Sequence, residues 1–382
     1  MNEREQNLDR QTDRQTDRQT DRQSNFELLR IIAMVMIIAH HFAVHGELDY
    51  HSDLTVNTVW LQFLQMGGKI GVNLFVLISG YFMANSGNKR ISKALKLWAQ
   101  VFFYSVLFYA VMSMYRAVIL HNFEFSEMDL VSRLFPISFN QWWFASTYFA
   151  MLILSPFVNI VLQKLDKVGY LKLLIIMFIM FCLIPSVFWI DYQMSNLAWF
   201  IFLYCLAGYI RVYGIKTSLN NKKLLLFATL SYIALFGINI ILVYFKNYIP
   251  ILKLYSDRLF AMNQLLVLIV SILIFVFFKN IRIEKNRMIN ILAAATFGVY
   301  LIHDDKNIRQ MLTNHIYGRL DVNSGLLIPY SILVILLIFV ICTGMELLRK
   351  YLLEKLYLKR LDKLGDTLEV WINKKIQKIC DR

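Results

Sequence analysis

Arg30 and His41 are separated by ten intervening residues in the run NFELLRIIAMVMIIAHHFAVHG, and everything between Arg30 and His40 is uncharged. On a helix, eleven steps of about 100° leave these two side chains about 20° apart on one face and about 16 Å apart along the axis. A guanidinium is a permanent cation that can hold an anionic group, and an imidazole can take and return a proton near neutral pH. Ionisable groups inside an apolar helix are costly, so by default they mark a site facing the protein interior. Glu27 and His45 fall near the same stripe, whereas His40 lies about 80° off it. Plainer readings stand beside this one: His41 could bond a neighbouring helix, and Arg30 could pair with Glu27 across adjacent turns. For His40 and His45 the plainer reading is favoured.

The rest of the chain shows what must position that stripe. Of its 382 residues, 58% are hydrophobic and 17% charged, and the mean hydropathy of +0.50 is too high for a soluble domain of this size. Apolar runs near 26–45, 67–84, 97–119, 142–162, 171–189, 196–213, 224–245, 259–278, 289–303 and 326–348 predict an all-α, polytopic membrane protein of about ten transmembrane helices. The formal charge of +14 does not form one aromatic-interleaved patch, so nucleic acid is not an expected partner. Its bases sit between apolar runs: Lys89, Arg90, Lys93 and Lys96, then Lys164, Lys167 and Lys172, then Arg211, Lys216, Lys222 and Lys223, then Lys279, Arg282, Lys285 and Arg287. By the positive-inside rule those segments face the cytoplasm, and both termini with them. The four cysteines are scattered and read as packing residues, and no metal-ligand cluster, phosphate-cradling glycine loop or Ser-His-Asp arrangement is visible. No metal is expected.

Three segments follow. Residues 1–24 form a polar tail expected to be disordered, in which 9–23 read DRQTDRQTDRQTDRQ. The tetranucleotide GACA, read in triplets, encodes Asp-Arg-Gln-Thr, so a slipping DNA repeat that switches the reading frame is one origin; a drifted linker is the other. Residues 25–348 form the membrane domain. Residues 349–382 are basic with leucines at helical spacing, and read as an amphipathic cytoplasmic helix on the membrane surface, a plain surface helix or a partner-binding tail.

Arg30, ten residues and His41 resemble the Arg/Lys-x10-His signature of the acyltransferase-3 family. Three further segments are similar to that family in the expected order. These are Gly71-Val-Asn-Leu-Phe-Val-Leu-Ile-Ser-Gly-Tyr-Phe82, with Tyr81 where Phe is usual; Gln141-Trp142-Trp143-Phe144; and Phe297-Gly-Val-Tyr-Leu-Ile-His303. The resemblance covers roughly 24–348. It departs from the family at Arg90-Ile91-Ser92-Lys93, where Arg-x-x-Arg is common, and a lysine there loses the bidentate fork.

The resemblance implies a membrane O-acyltransferase of the bacterial plasma membrane. It would move an acetyl or other short acyl group from acetyl-CoA to a hydroxyl of an extracytoplasmic surface glycan, such as capsule or lipopolysaccharide. Frame switching would suit such a surface structure. His41 would be the general base, acting directly or through an acyl-imidazole, with Arg30 holding a donor phosphate or Glu27. Lys89, Arg90, Lys93 and Lys96 would hold the phosphates of coenzyme A, unless they are topology signals alone. Ser79 would touch the acyl carbonyl or pantetheine chain. His303 could face the acceptor sugar and Trp142 and Trp143 stack it, or these could be a helix cap and interfacial anchors. No permanently bound cofactor is implied; the partners are acetyl-CoA, the glycan and membrane lipids, and the oligomeric state is not indicated. A polysaccharide flippase or exporter is the alternative, although the internal repeats or interrupted helices usual for it are not found.

Overall fold

The computed structural model describes residues 23–50, 53–84, 90–121, 124–190, 195–215, 219–246, 248–249 and 251–380. Residues 1–22 with the Asp-Arg-Gln-Thr repeat, and Lys89, lie outside the described residues, as does the side chain of Arg90. The described chain is helical, with no strand. Its elements are α1 (Ser24–His45), α2 (Val56–Met83), α3 (Arg90–Val118), α4 (Glu127–Leu134), α5 (Trp143–Lys164) and α6 (Lys167–Phe178), which runs through a π turn into α7 (Ile184–Phe188). Then come α8 (Asn196–Tyr213), α9 (Asn221–Phe245), α10 (Ile251–Arg258), α11 (Leu265–Asn280), α12 (Arg287–His303), α13 (Lys306–Leu312), α14 (Leu327–Arg349) and α15 (Lys355–Cys380).

Eight helical stretches are long and apolar enough to cross a bilayer, and the shorter apolar α11 and α12 correspond to the other two expected runs. Surface composition supports the same conclusion. On α14, Ser331, Val334, Ile335, Ile338, Cys342 and Glu346 face inward, while Leu333, Leu336, Leu337, Val340 and Ile341 are exposed. A helix apolar on its exposed face as well as its buried one belongs in lipid. Phe157, Ile160 and Val161 on α5 and Leu226, Ile233 and Ile241 on α9 repeat this. The protein is an all-α polytopic membrane protein.

Three boundaries differ from expectation. α2 begins at Val56 rather than 67, where Thr55 and Thr58 form a capping box. Gln62, Gln65 and Lys69 lower the hydropathy of that first half, but the protein interior accommodates them: Gln62 donates to the Tyr50 carbonyl at 2.9 Å and accepts from Asn239 at 2.7 Å. The run 259–278 breaks into a turn after α10, and α11 starts only at Leu265. The last span does not stop at 348: the helix continues through a π turn, Lys350–Glu354, into α15. α15 is an amphipathic helix that packs on α3 within the protein, with Asp362 accepting from Lys96 at 2.6 Å and bonded to Ser92.

Close approach of α1 and α2 is built on Met66-Gly67-Gly68-Lys69-Ile70-Gly71. A Cβ on Gly68 would collide with the His40 ring, and one on Gly71 would fall 2.7 Å from the Ala33 carbonyl oxygen. Backbone cannot move aside as a flexible side chain can. Gly71→Val is therefore expected to destabilise the protein by about 1–3 kcal/mol, read as a lowered Tm in detergent. Gly237→Ala on α9, with nothing within 4 Å of its Cβ position, should leave Tm unchanged. Asn73 then ties α2 to its other neighbours: it donates to the Met262 carbonyl at 2.8 Å and accepts from Trp199 of α8 at 2.9 Å. A Cβ on Gly80 would lie 2.9 Å from Tyr204 Cα, so α8 also approaches closely.

Candidate active site

A cavity of about 360 Å³ runs inside the bundle between α1, α2, α3, α5, α12 and the start of the tail. Along α1 it is lined by Arg30, Met34, Ile37 and His41, a series spaced by four, three and four residues. That is one helical face, as the spacing predicts. One end of the cavity is lined by Arg30, Lys96, Gln100, Lys350 and Tyr357, and the other by His40, His41, Gly68, Lys69 and Trp143.

At the His41 end, His41 Nδ1 lies 3.0 Å from His303 Nε2 and 3.8 Å from Asp304 Oδ1. His303 is fully buried, and its Nδ1 is 2.6 Å from the carbonyl oxygen of Val299, one turn earlier on α12. Asp304 is held by Arg309 of α13 at 3.1 Å. Asp305 points elsewhere: it caps α13 through the backbone N–H groups of Asn307 and Ile308, and it pairs with the buried Arg133 of α4 at 2.9 Å. The segment after α12 is thus fixed from two sides. His40 Nδ1 donates to the Gln65 carbonyl at 2.6 Å, the plain helix-to-helix bond expected of it. The rings of His41 and His45 lie 5.0 Å apart.

His41, His45 and Asp304 each place a potential ligand atom within 4.8 Å of the others, a grouping that sequence spacing did not reveal. An ion there would compete with Arg309 for Asp304 and with His303 for the Nδ1 side of His41.

Arg30 lines the cavity and also pairs with Glu27 at 3.3 Å. Glu27 itself is buried behind it, away from the cavity, so its carboxylate orients the guanidinium. Ser79 lines the cavity, yet its hydroxyl donates to the Phe75 carbonyl at 2.8 Å and accepts from Tyr148 at 3.0 Å. Both partners are internal, and no base stands beside it among the described residues.

The other expected site residues separate. Lys96 lines the cavity near its Arg30 end, whereas Lys93 is exposed and does not. Trp143 lines the cavity and carries the ammonium of Lys69 over its ring at 4.8 Å. Trp142 is buried at 2% exposure and takes no part in the lining, so it does not present its face for stacking a sugar. His303 touches His41 and is closed off from solvent, so it does not face an acceptor directly.

Several charged groups at or beside the cavity were not singled out from the sequence: Lys69, Arg349, Lys350 and Glu354 line it, and Glu346 lies buried behind Arg349. Lys69 is the one charged residue of α2, and a lone cation within a span is itself a functional signal. Glu346, inside the last apolar run, is fully buried. It accepts from Tyr104 at 2.6 Å, from Gln100 at 3.0 Å and from the fork of Arg349 at 2.8 Å on each oxygen. A Cβ on Gly298 would collide with this carboxylate, so α12 needs glycine there. Arg349 also binds Glu354 and Tyr357, which anchors the tail at the cavity's end.

Helices of this length around an ionisable internal cavity define an integral membrane protein with a buried site. The acyltransferase-3 family profile, described as an acyltransferase domain, matches residues 23–347, and the chain belongs to that family. It is a multi-pass membrane acyltransferase. No curated protein and no solved structure matches the chain.

Proposed function

We propose that the protein transfers an acetyl or other short acyl group from an acyl-CoA on the cytoplasmic side to a hydroxyl of an extracytoplasmic surface glycan, with His41 as general base. The observation that carries this reading is the continuous cavity, about 360 Å³, that joins His41 to the basic end formed by Arg30, Lys96 and Lys350. A thioester donor with several phosphates needs cations at its entrance, and the acceptor hydroxyl needs a base where its proton is lost.

By the positive-inside rule the basic loops put the Arg30 end, both termini and α15 on the cytoplasmic side; the bacterial plasma membrane is what the family membership implies. Arg30, oriented by Glu27, holds donor phosphate together with Lys96 and Lys350; on the sequence alone, Lys89, Arg90 and Lys93 belong to the same basic run and add to the cations available to the donor. Ser79 and Tyr148 border the path of the pantetheine arm. Lys69, beside His41 on the cavity wall, stabilises the oxyanion that develops on the acyl carbonyl. Trp143 presents an aromatic face near the acceptor end. Coenzyme A is a substrate that leaves deacylated, and no resident cofactor takes part.

The test compares O-acetyl content of the cells' surface glycan at matched expression of the intact protein, Arg30→Ala and Lys69→Met. Lys69→Met is expected to lower acetylation by about 10²-fold, the effect of losing one oxyanion-stabilising group. Arg30→Ala should raise the acetyl-CoA concentration needed. Unchanged acetylation and unchanged donor dependence in both variants would remove the mechanism.

A further inference from the structure

We infer that His303 is a positioning residue, which fixes His41 in the tautomer whose Nε2 carries the lone pair. The inference rests on the proposed role of His41 and specifies what keeps that base competent.

The series of contacts begins at a group with no choice. The Val299 carbonyl oxygen can only accept, and His303 Nδ1 lies 2.6 Å from it, so Nδ1 carries the hydrogen. With one ring proton placed there, His303 Nε2 holds the lone pair. It faces His41 Nδ1 at 3.0 Å, and that contact needs a hydrogen supplied by His41. His41 therefore carries its hydrogen on Nδ1 and its lone pair on Nε2. A second proton on His303 would add a cation where Arg309 already shares Asp304 with the His41 edge. Nothing else among the described residues is placed to do this: Asp304 Oδ1, at 3.8 Å from Nδ1, is beyond hydrogen-bonding distance.

Burial makes the arrangement rigid. His303 is 1% exposed, its partner carbonyl belongs to its own helix, and the turn after it is fixed by the Asp305 to Arg133 pair. His41 lines the cavity, so its remaining nitrogen is the one available to substrate.

The reaction then balances. The acceptor oxygen forms its bond to the acyl carbon as its proton passes to His41 Nε2. The hydrogen on His41 Nδ1 stays there, donated to His303 Nε2, and the charge on the imidazolium is met by the Asp304 carboxylate. As the C–S bond breaks, the same proton returns from Nε2 to the departing thiolate, giving ester and free thiol. No other reactant is consumed.

Two measurements test this. In membrane vesicles from producing cells, with [14C]acetyl-CoA as donor and the vesicles' own glycan as acceptor, His303→Ala should lower kcat by about 10²-fold and leave donor KM unchanged. His303→Gln can place its carbonyl oxygen where Nε2 was, and should restore kcat to within about fivefold of the intact protein. Nitrogen-15 spectra of histidine-labelled protein in nanodiscs need no variant for their main reading. They should show His41 protonated at Nδ1 and unprotonated at Nε2, and this single tautomer should be lost in His303→Ala. His303→Ala with intact kcat, or a wild-type His41 protonated at Nε2 alone, overturns the inference. Activity surviving His41→Ala would instead remove the base itself, while loss in His41→Ala alongside full activity in His303→Ala removes only the positioning role.

Discussion

His41→Ala is expected to lower acyl transfer by about 10³-fold, within the range of about 10²–10⁴ that a positioned acid–base group contributes. The protein should remain folded. His41 makes its polar contacts through one ring nitrogen and packs beside the rings of His40, His45 and His303 at the cavity wall, so its removal enlarges an existing cavity rather than opening the core. Tm should therefore shift little while acetylation of the glycan falls to background. Packing separates His41 from its neighbour: His40 bonds the Gln65 carbonyl and covers Gly68, so His40→Ala should cost stability before it costs chemistry.

Glu346→Ala is expected to have the largest effect on stability, about 3 kcal/mol, because it leaves the buried Arg349 guanidinium with only the partly exposed Glu354 and Tyr357 as partners. Arg349 is 5% exposed and places two nitrogens on that carboxylate, with Tyr104 and Gln100 satisfying it further. Thermal unfolding followed by size-exclusion chromatography in detergent reads the loss directly. Replacing both partners, Glu346→Leu with Arg349→Met, should recover part of it, since the buried pair is then gone and only the partly exposed Glu354 loses a partner. A functional consequence follows from position. Arg349 joins the last span to the tail whose Lys350 and Tyr357 line the cavity, so the single variant should also raise donor KM. An unchanged Tm in Glu346→Ala would show that this network is solvated.

Helical periodicity makes the Arg30–His41 stripe legible, because it depends on one element alone and both residues do line one cavity. The existence of the spans is legible for a similar reason: bilayer thickness imposes a minimum length that composition reveals. What the sequence conceals is mostly context. Lys69 falls at the very start of the apolar run 67–84, because Gln62 and Gln65 pull down the hydropathy of the first half of α2. Those amides are satisfied by the protein, so the helix continues past the point where hydropathy alone would end it. Glu346 is lost within an apolar run that a single carboxylate barely perturbs, although the cost of burying it is itself a signal.

Pairings between distant parts of the chain are not legible. His303 reads as an acceptor contact or a solvated cap, and only the packing of α12 against α1 shows that it meets His41. Trp142 and Trp143 look equivalent as neighbours, but the helix begins only at Trp143, and Trp142 is its N-cap in extended backbone. One is sealed in the core and the other borders the cavity. The tail beyond Arg349 leaves the apolar pattern and reads as a separate surface element; instead it docks on α3 through Asp362 and supplies part of the cavity wall.

The most direct measurement uses sealed, inverted membrane vesicles with the glycan enclosed in the lumen and [14C]acetyl-CoA added outside. The account predicts that label crosses to the enclosed glycan with the intact protein and fails to do so with His41→Ala. Labelling of the enclosed glycan at the intact rate by the His41 variant would contradict it.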